Sequence, residues 1–303
     1  MDRETSSGVR HRFFRLPFRP PCRWEAMLAF LAARAIPGVE AVAGGIYRRS
    51  FSFGLHHGWL EVAPDEESRS VRLRVHFPDP RWLRLVVERV RALFDLNADW
   101  SVIAPVLGAD PMLRETVKAA PGLRVPGCWD GFELSTRAIL GQQITVKGAS
   151  ALAGRLVREF GKPAATAPGL THVFPSPAVL AEANLTRAGL TRKRAETVQL
   201  LARAVAEGEI DFAAIGESEA FLNRLRRIPG IGPWTAQYVA MRALRMPDAF
   251  PSGDLGLLRV LGIKNARELE RRAETWRPWR AYATMYLWNM GHAKGARGQP
   301  EST

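Results

Sequence analysis

The sequence predicts an α+β protein that is mostly α: a small antiparallel sheet with helices comes first, and an all-helical part follows. Two observations predict it. Val71, Leu73, Val75 and Phe77 alternate with Arg72, Arg74 and His76, the period-two pattern of a strand buried on one face. From Asp130 onward, apolar residues instead recur at three- and four-residue spacing in segment after segment, divided by Gly and Pro. The expected division is a mobile charged tail at 1–14, an α+β unit at 15–128, a helical region at 129–290 and a frayed polar tail at 291–303.

The elements follow in order. Residues 24–35 read as a helix, with Met27, Phe30, Leu31 and Ala35 on one face and Pro37-Gly38 ending it. Residues 47–53 and 59–62 are expected partners of the 71–77 strand, and Pro78-Asp79-Pro80 closes the sheet. Trp82, Leu85, Val86, Val90, Leu93 and Phe94 define a second amphipathic helix. Asp130 with Glu133 has the form of a capping box opening a helix to about Leu140. A stripe from Ala149 to Phe160 is stopped by Gly161 and Pro163, and a Pro/Gly/Thr-rich connection fills 161–177. Helices are then expected at 178–184, 192–207, 218–227, 233–245, 254–261, 266–273 and 278–290.

Composition narrows the function classes. The 303 residues carry 43 Lys and Arg against 30 Asp and Glu, a formal charge of +13. Such an excess points to a polyanionic partner, of which nucleic acid is the commonest. Cys22 and Cys128 are the only cysteines. Two exclude a disulfide scaffold, a four-cysteine zinc site and a four-cysteine iron–sulfur cluster, and suit a reducing cytoplasm. No apolar run approaches the roughly 20 residues a helix needs to cross a bilayer, and no secretory leader is visible at the start. His56, His57 and His292 have no acid at metal or triad spacing, and Arg192-Lys193-Arg194 reads as a solvated helix start.

The sharpest local signal is Ile228-Pro229-Gly230-Ile231-Gly232-Pro233-Trp234-Thr235-Ala236. Pro229 stops one helix. Gly230 and Gly232 permit backbone angles closed to other residues, and Pro233 suits the first turn of the next helix. Ile228 and Ile231 pin the turn to the core. Amides at the start of the second helix, unshielded by side chains at the glycines, can approach a phosphate, and the helix's positive end favours the anion. The carbonyls of Ile228 and Ile231 could hold a monovalent cation bridging to that phosphate. An ordinary joint between two helices is the competing reading. Gripping of this kind positions a protein on DNA without reading sequence.

Asp254 lies 22 residues after Gly232, in Phe250-Pro251-Ser252-Gly253-Asp254. One helix and a short loop fit between them, so the carboxylate can return beside the hairpin. By itself it reads more readily as an N-cap than as a functional acid. Tyr238 and Trp288, likewise, read as core aromatics when taken singly.

Together the pieces resemble the helix-hairpin-helix DNA glycosylases, in their alkylation-repair, 3-methyladenine branch. The residues that carry the resemblance are the 228–236 hairpin, Phe250-Pro251 with Asp254, Arg277-Pro278-Trp279-Arg280-Ala281-Tyr282 with Trp288, WEAMLAFLAARA at 24–35 and PGLRVPGCWDGFELSTRAILGQ at 121–142. They span roughly 16–290. The resemblance implies a two-lobed helix-hairpin-helix domain behind the small N-terminal sheet. It implies an enzyme that flips an alkylated purine out of duplex DNA and hydrolyses its N-glycosidic bond, acting as a monomer at the nucleoid without a cofactor. Asp254 stands at the family's catalytic aspartate, whose charge stabilises an oxocarbenium-like sugar. Trp234, Tyr238, Trp288 and Phe30 match aromatic positions of the base pocket, where ring faces favour a cationic purine. Leu255 matches a further pocket position, which in the family is a tyrosine. Gly230, Ile231, Gly232 and Thr235 match DNA-binding hairpin positions, and Gln143 stands where the family places an apolar wedge. Trp234 occupies the position of the lysine that makes relatives lyases, so strand cleavage is not expected. A non-catalytic, lesion-sensing protein is the alternative, which Asp254 and the aromatic set disfavour.

Overall fold

The computed structural model describes residues 11–65, 67–164, 167–213 and 218–297, without the side chains of 218 and 292–297. It is an α+β structure, mostly helical. The N-terminal unit runs β1 (Arg12–Pro17), α1 (Trp24–Arg34), β2 (Glu40–Ala43), β3 (Ile46–Phe53), β4 (His56–Asp65), β5 (Ser70–His76) and α2 (Leu83–Leu93). The sheet is antiparallel throughout, in the order β1-β5-β4-β3-β2. The 71–77 alternation has its expected outcome: Val71, Leu73 and Val75 are buried against Met27, Leu28 and Leu31 of α1 and Val86, Val90 and Leu93 of α2.

Two departures concern the termini. Residues 12–14 are not tail: Arg12, Phe13 and Phe14 pair with Val75, Arg74 and Leu73. An arginine-rich edge strand whose one deeply buried side chain is Leu16 gives a weak alternation signal, which reads as a solvated tail. At the other end the last helix continues through residue 297, so 291–297 are helical rather than frayed. Residues 1–10 and 298–303 lie outside the described part.

The sequence reading also missed α3 (Trp100–Ala109) and α4 (Pro111–Ala119), capped by Asp99 and Asp110. Prolines at 105 and 111 obscured them, although Pro111 sits in a first helical turn, where no amide is lost. Their Ile103, Leu107, Leu113 and Val117 join the core of the helical region, not the sheet's.

That region comprises α5 (Gly131–Leu140), α6 (Val146–Phe160), a two-residue β6–β7 pair (Lys162–Pro163, His172–Val173), α7 (Pro177–Glu182), α8 (Arg192–Ala206), α9 (Ser218–Arg226), α10 (Pro233–Arg242), α11 (Leu255–Leu261), α12 (Ala266–Arg272) and α13 (Arg280–Arg297). Helix α5 is its axis, buried on all sides except at Arg137. Asp130 caps it by accepting the Glu133 amide at 3.0 Å. The return half of the capping box is not made, because the Glu133 carboxylate accepts instead from Arg49 at 2.7 Å and Arg137 at 3.3 Å. Glu40 of β2 completes the cluster, accepting from Arg137 at 2.9 Å, Tyr47 at 2.7 Å and the Ile36 amide at 3.1 Å. Burial would push the Glu40 carboxyl up, but Arg137, Arg49 and these hydrogen bonds outweigh it and hold it below its ordinary value. This cluster joins the sheet to the helix that backs the site.

Candidate active site

A cavity of about 720 Å³ opens between α1, α5, α6 and α10 on one side and α11 and α13 on the other. Asp254, Trp234, Tyr238 and Trp288 all line it. Asp254 is the N-cap of α11: Oδ1 accepts the Leu257 amide at 3.0 Å. Its remaining capacity faces two indoles. Trp234 Nε1 donates to Oδ2 at 3.0 Å and Trp288 Nε1 donates to Oδ1 at 3.2 Å. The N-cap and functional readings of Asp254 are therefore compatible, since one amide fixes the carboxylate and the indoles aim it. Gly256 makes room for this arrangement, because a Cβ there would stand 2.9 Å from Asp254 Oδ1.

The aromatic walls assemble as a relay. Trp234 and Tyr238, one helical turn apart, stack with centroids 5.3 Å apart and planes at 16°. Trp288 stands 6.4 Å from Tyr238, and Phe30 stacks behind Trp288 at 6.3 Å. Phe30 thus supports the wall without itself lining the cavity. Leu255 does not line it either: its side chain is 72% exposed at the start of α11. Residues adjacent in a helix point about 100° apart, so with Asp254 turned inward Leu255 faces solvent.

The hairpin is α9, a turn at 227–232, and α10. Ile228 and Ile231 are buried, and the Ile231 amide donates to the Ile228 carbonyl at 3.0 Å. The two glycines differ. Gly230 has φ +93°, left-handed backbone that favours glycine, and a Cβ there would lie 2.2 Å from Thr197 Oγ1. Gly232 has φ −87° and ψ 178°, open to any residue, so its backbone does not require glycine. A Cβ on it would meet nothing within 4 Å, in the space before the start of α10. Thr235 is buried, and its hydroxyl accepts from Gln142 at 3.1 Å rather than facing outward.

Gln142 was missed from sequence. Its Nε2 also donates to the Gly230 carbonyl at 2.9 Å, and Arg194 of α8 donates to its own carbonyl. The loop after α5 is thereby latched to the hairpin. Next along, Gln143 is exposed with φ +58°, and Ile144 lines the cavity mouth while 40% exposed. Arg34 and Arg242 were missed as well. Arg34 lines the cavity with its guanidinium 3.7 Å from the Phe30 centroid, and Arg242 donates to the Tyr238 hydroxyl at 2.6 Å. Burial would raise the Tyr238 phenol, but Arg242 and Arg34 outweigh it and hold it below its ordinary value. The signal for Arg34 was present: it lies four residues after Phe30 on the same helical face.

Comparison with known proteins agrees with this geometry. Residues 13–130 match the AlkA N-terminal domain, and residues 136–280 match the HhH-GPD superfamily base excision DNA repair protein family. The chain is 34% identical over 278 residues to DNA-3-methyladenine glycosylase 2 of Escherichia coli, covering 91% of this chain and 96% of that one. It is 41% identical over 280 residues to the probable bifunctional transcriptional activator/DNA repair enzyme AlkA of Mycobacterium tuberculosis, covering 90% of this chain but 56% of that one. The chain thus spans about half the length of that relative. The structure of the 3-methyladenine DNA-glycosylase from Archaeoglobus fulgidus superposes with a TM-score of 0.80 at 25% identity, covering 92% of this chain and 98% of that one. The protein belongs to the helix-hairpin-helix superfamily of base-excision DNA repair glycosylases, in the branch that carries an AlkA N-terminal domain.

Proposed function

We propose that the protein is a monofunctional DNA glycosylase that removes alkylated purines of the 3-methyladenine type from duplex DNA. One observation carries the reading: the carboxylate of Asp254 is held by two indole N–H groups in the wall of an aromatic cavity, on the helix that follows the hairpin. The hairpin amides at the start of α10 would take a phosphate, and the flipped nucleotide would enter between Ile144 and α11. As the C1′–N bond lengthens, positive charge grows on the sugar, and the fixed carboxylate stabilises it without reorganising. The departing cationic base keeps the bonding electron pair and leaves neutral, water adds to C1′, and the proton that water sheds passes to solvent.

The position filled by lysine in lyases is Trp234, whose indole is committed to Asp254 and cannot form a Schiff base. A monovalent cation at the carbonyls of Ile228 and Ile231 belongs to the same proposal. The Ile228 oxygen accepts one amide, which leaves a lone pair for an ion. Neither the reaction nor the aspartate's role needs a cofactor, and a single chain contains every residue invoked. Among the described residues no helix is long and apolar enough to cross a membrane, which fits work at the chromosome.

The test is base release from duplex DNA treated with a methylating agent. The proposal expects free 3-methyladenine and a strand that breaks only after hot alkali. Absence of release, or nicking without alkali, contradicts it.

A further inference from the structure

The outer face of the N-terminal sheet carries charge that the glycosylase reading does not use. The inner face packs on α1 and α2, and α1 in turn presents Arg34 to the cavity. The outer face therefore points away from the cavity, with the sheet and a helix between them. At β2 and β3 it is covered. Ser50 donates to the His172 carbonyl of β7, and Gly169 lies so close over Ala41 that a Cβ there would come within 2.9 Å. Over β1, β5 and β4 it is open. A second groove, of about 440 Å³, runs there, with Phe13, Arg15, Arg72 and Arg74 in its lining.

Strand register sets the pattern of this face. Arg15 stands directly opposite Arg72, and Phe13 opposite Arg74. Arg74 is opposite Glu61, which is opposite Arg48. Glu61 accepts from Arg48 at 2.6 Å and from Arg74 at 3.3 Å, and Asp65 pairs with Arg15 at 3.1 Å. Arg72 has no such partner among the described residues. Like charges directly opposite one another across two strands destabilise a sheet, so the Arg15–Arg72 pair costs stability until an anion comes between them. Protection of an exposed edge accounts for arginines on β1, but not for those of β5, which is an interior strand. Phe13 stands among them 72% exposed, with the Arg74 guanidinium 6.0 Å from its ring centroid.

We propose that this face binds a single strand of DNA, with Phe13 stacked on a base and Arg15, Arg72 and Arg74 on the neighbouring phosphates. Cationic grooves with an exposed aromatic ring suit single strands, because every base offers a face to stack on once it is unpaired. In a duplex those faces are already taken. The Arg15–Asp65 pair, 67% exposed on the arginine side, is weak enough to open for a phosphate. An acidic peptide would satisfy the arginines but give Phe13 nothing to stack on. The site goes beyond the glycosylase reading and does not rest on it, since a strand held here lies on the side of the protein away from Asp254.

The experiment follows the anisotropy of a fluorescein-labelled oligothymidylate of about 12 nucleotides on the full chain, with and without an excess of unlabelled undamaged duplex. Wild type should bind the oligonucleotide in both conditions. Phe13→Ala should weaken it about 5- to 150-fold, the loss of one stacked base, and Phe13→Tyr should bind as wild type does. Arg72→Ala should lower the slope of log affinity against log salt by about 0.7, one phosphate contact on a single strand, and Arg72→Lys should restore it. Both side chains are exposed and outside the cavity, so base release from methylated duplex should keep its wild-type rate in all four variants. Complete displacement of the oligonucleotide by duplex overturns the proposal, because the strand then shares the hairpin site. Binding unmoved by Phe13→Ala and Arg72→Ala overturns it too. Displacement of the oligonucleotide by polyglutamate, with Phe13→Ala binding as wild type does, replaces the strand with an acidic peptide as the occupant and likewise overturns it.

Discussion

Alanine at Gly230 and alanine at Gly232 should have opposite signatures, although the sequence presents the two glycines as equivalent. Forcing a side chain into the left-handed conformation of Gly230 costs about 1–2 kcal/mol. The added Cβ would also lie 2.2 Å from Oγ1, 3.0 Å from Cγ2 and 3.2 Å from Cβ of Thr197. Thr197 is buried, and its hydroxyl donates to the Lys193 carbonyl at 3.0 Å, so it cannot yield freely. Overpacking of this kind adds about 1–3 kcal/mol. The sum is about 2–5 kcal/mol, which at roughly 2–4 °C per kcal/mol for a large domain lowers Tm by roughly 4–20 °C. Gly232→Ala meets no atom and needs no unusual backbone, so its Tm should stay within about 1 °C of wild type. Its new methyl stands where a phosphate would approach, so its DNA affinity should fall and its salt dependence should weaken. Thermal melts and fluorescence anisotropy on undamaged duplex measure both quantities. Equal Tm losses for the two variants, or a Gly232→Ala variant that melts early and binds normally, would refute the reasoning.

Gln142→Ala removes both latch bonds to the hairpin; we expect a stability loss of about 1–3 kcal/mol by denaturant melt and weaker DNA binding than a surface Gln→Ala control. Trp288→Phe keeps a ring in the wall but deletes one N–H donor to Asp254, so kcat for methylated-base release should drop roughly tenfold to hundredfold with KM little changed. Asp95 is buried, accepts from Tyr282 at 2.9 Å, and is pushed up from 3.8 to about 6 chiefly by that burial. Its folded form therefore holds a proton more tightly than the unfolded chain does. Its contribution to stability is full below pH 3.8 and is lost as the pH rises through about 6. Asp95→Asn should flatten the fall in Tm between about pH 4 and 6, and an unchanged slope there would contradict the assignment.

The fold was legible where the chain obeys one period at a time. The 71–77 strand alternates cleanly because one face meets α1 and α2, and the late helices carry stripes because each packs on one side. Legibility failed where polar residues do structural work. Helices α3 and α4 are capped by aspartates and opened or interrupted by proline, and β1 is an edge strand rich in arginine. At the site, Asp254, Trp234, Tyr238 and Trp288 were visible through their residue types and their resemblance to a family. Leu255 was misplaced because adjacency to Asp254 in sequence is not adjacency in the cavity. Arg34, Gln142 and Arg242 escaped notice because an arginine or glutamine on a helix reads as solvated until three-dimensional packing shows otherwise. Only the folded chain brings Arg34 of α1 against Tyr238, and Gln142 against a carbonyl 88 residues away.

The most direct measurement is single-turnover release of 3-methyladenine by Asp254→Asn beside wild type, with binding to the same methylated duplex followed in parallel. Asparagine can still accept the Leu257 amide and one indole N–H, so fold and DNA affinity should survive. The neutral side chain loses the charge that stabilises the sugar cation, and the rate should fall by on the order of 10³-fold or more. A variant that binds as wild type does and releases base within about tenfold of its rate would contradict a catalytic Asp254.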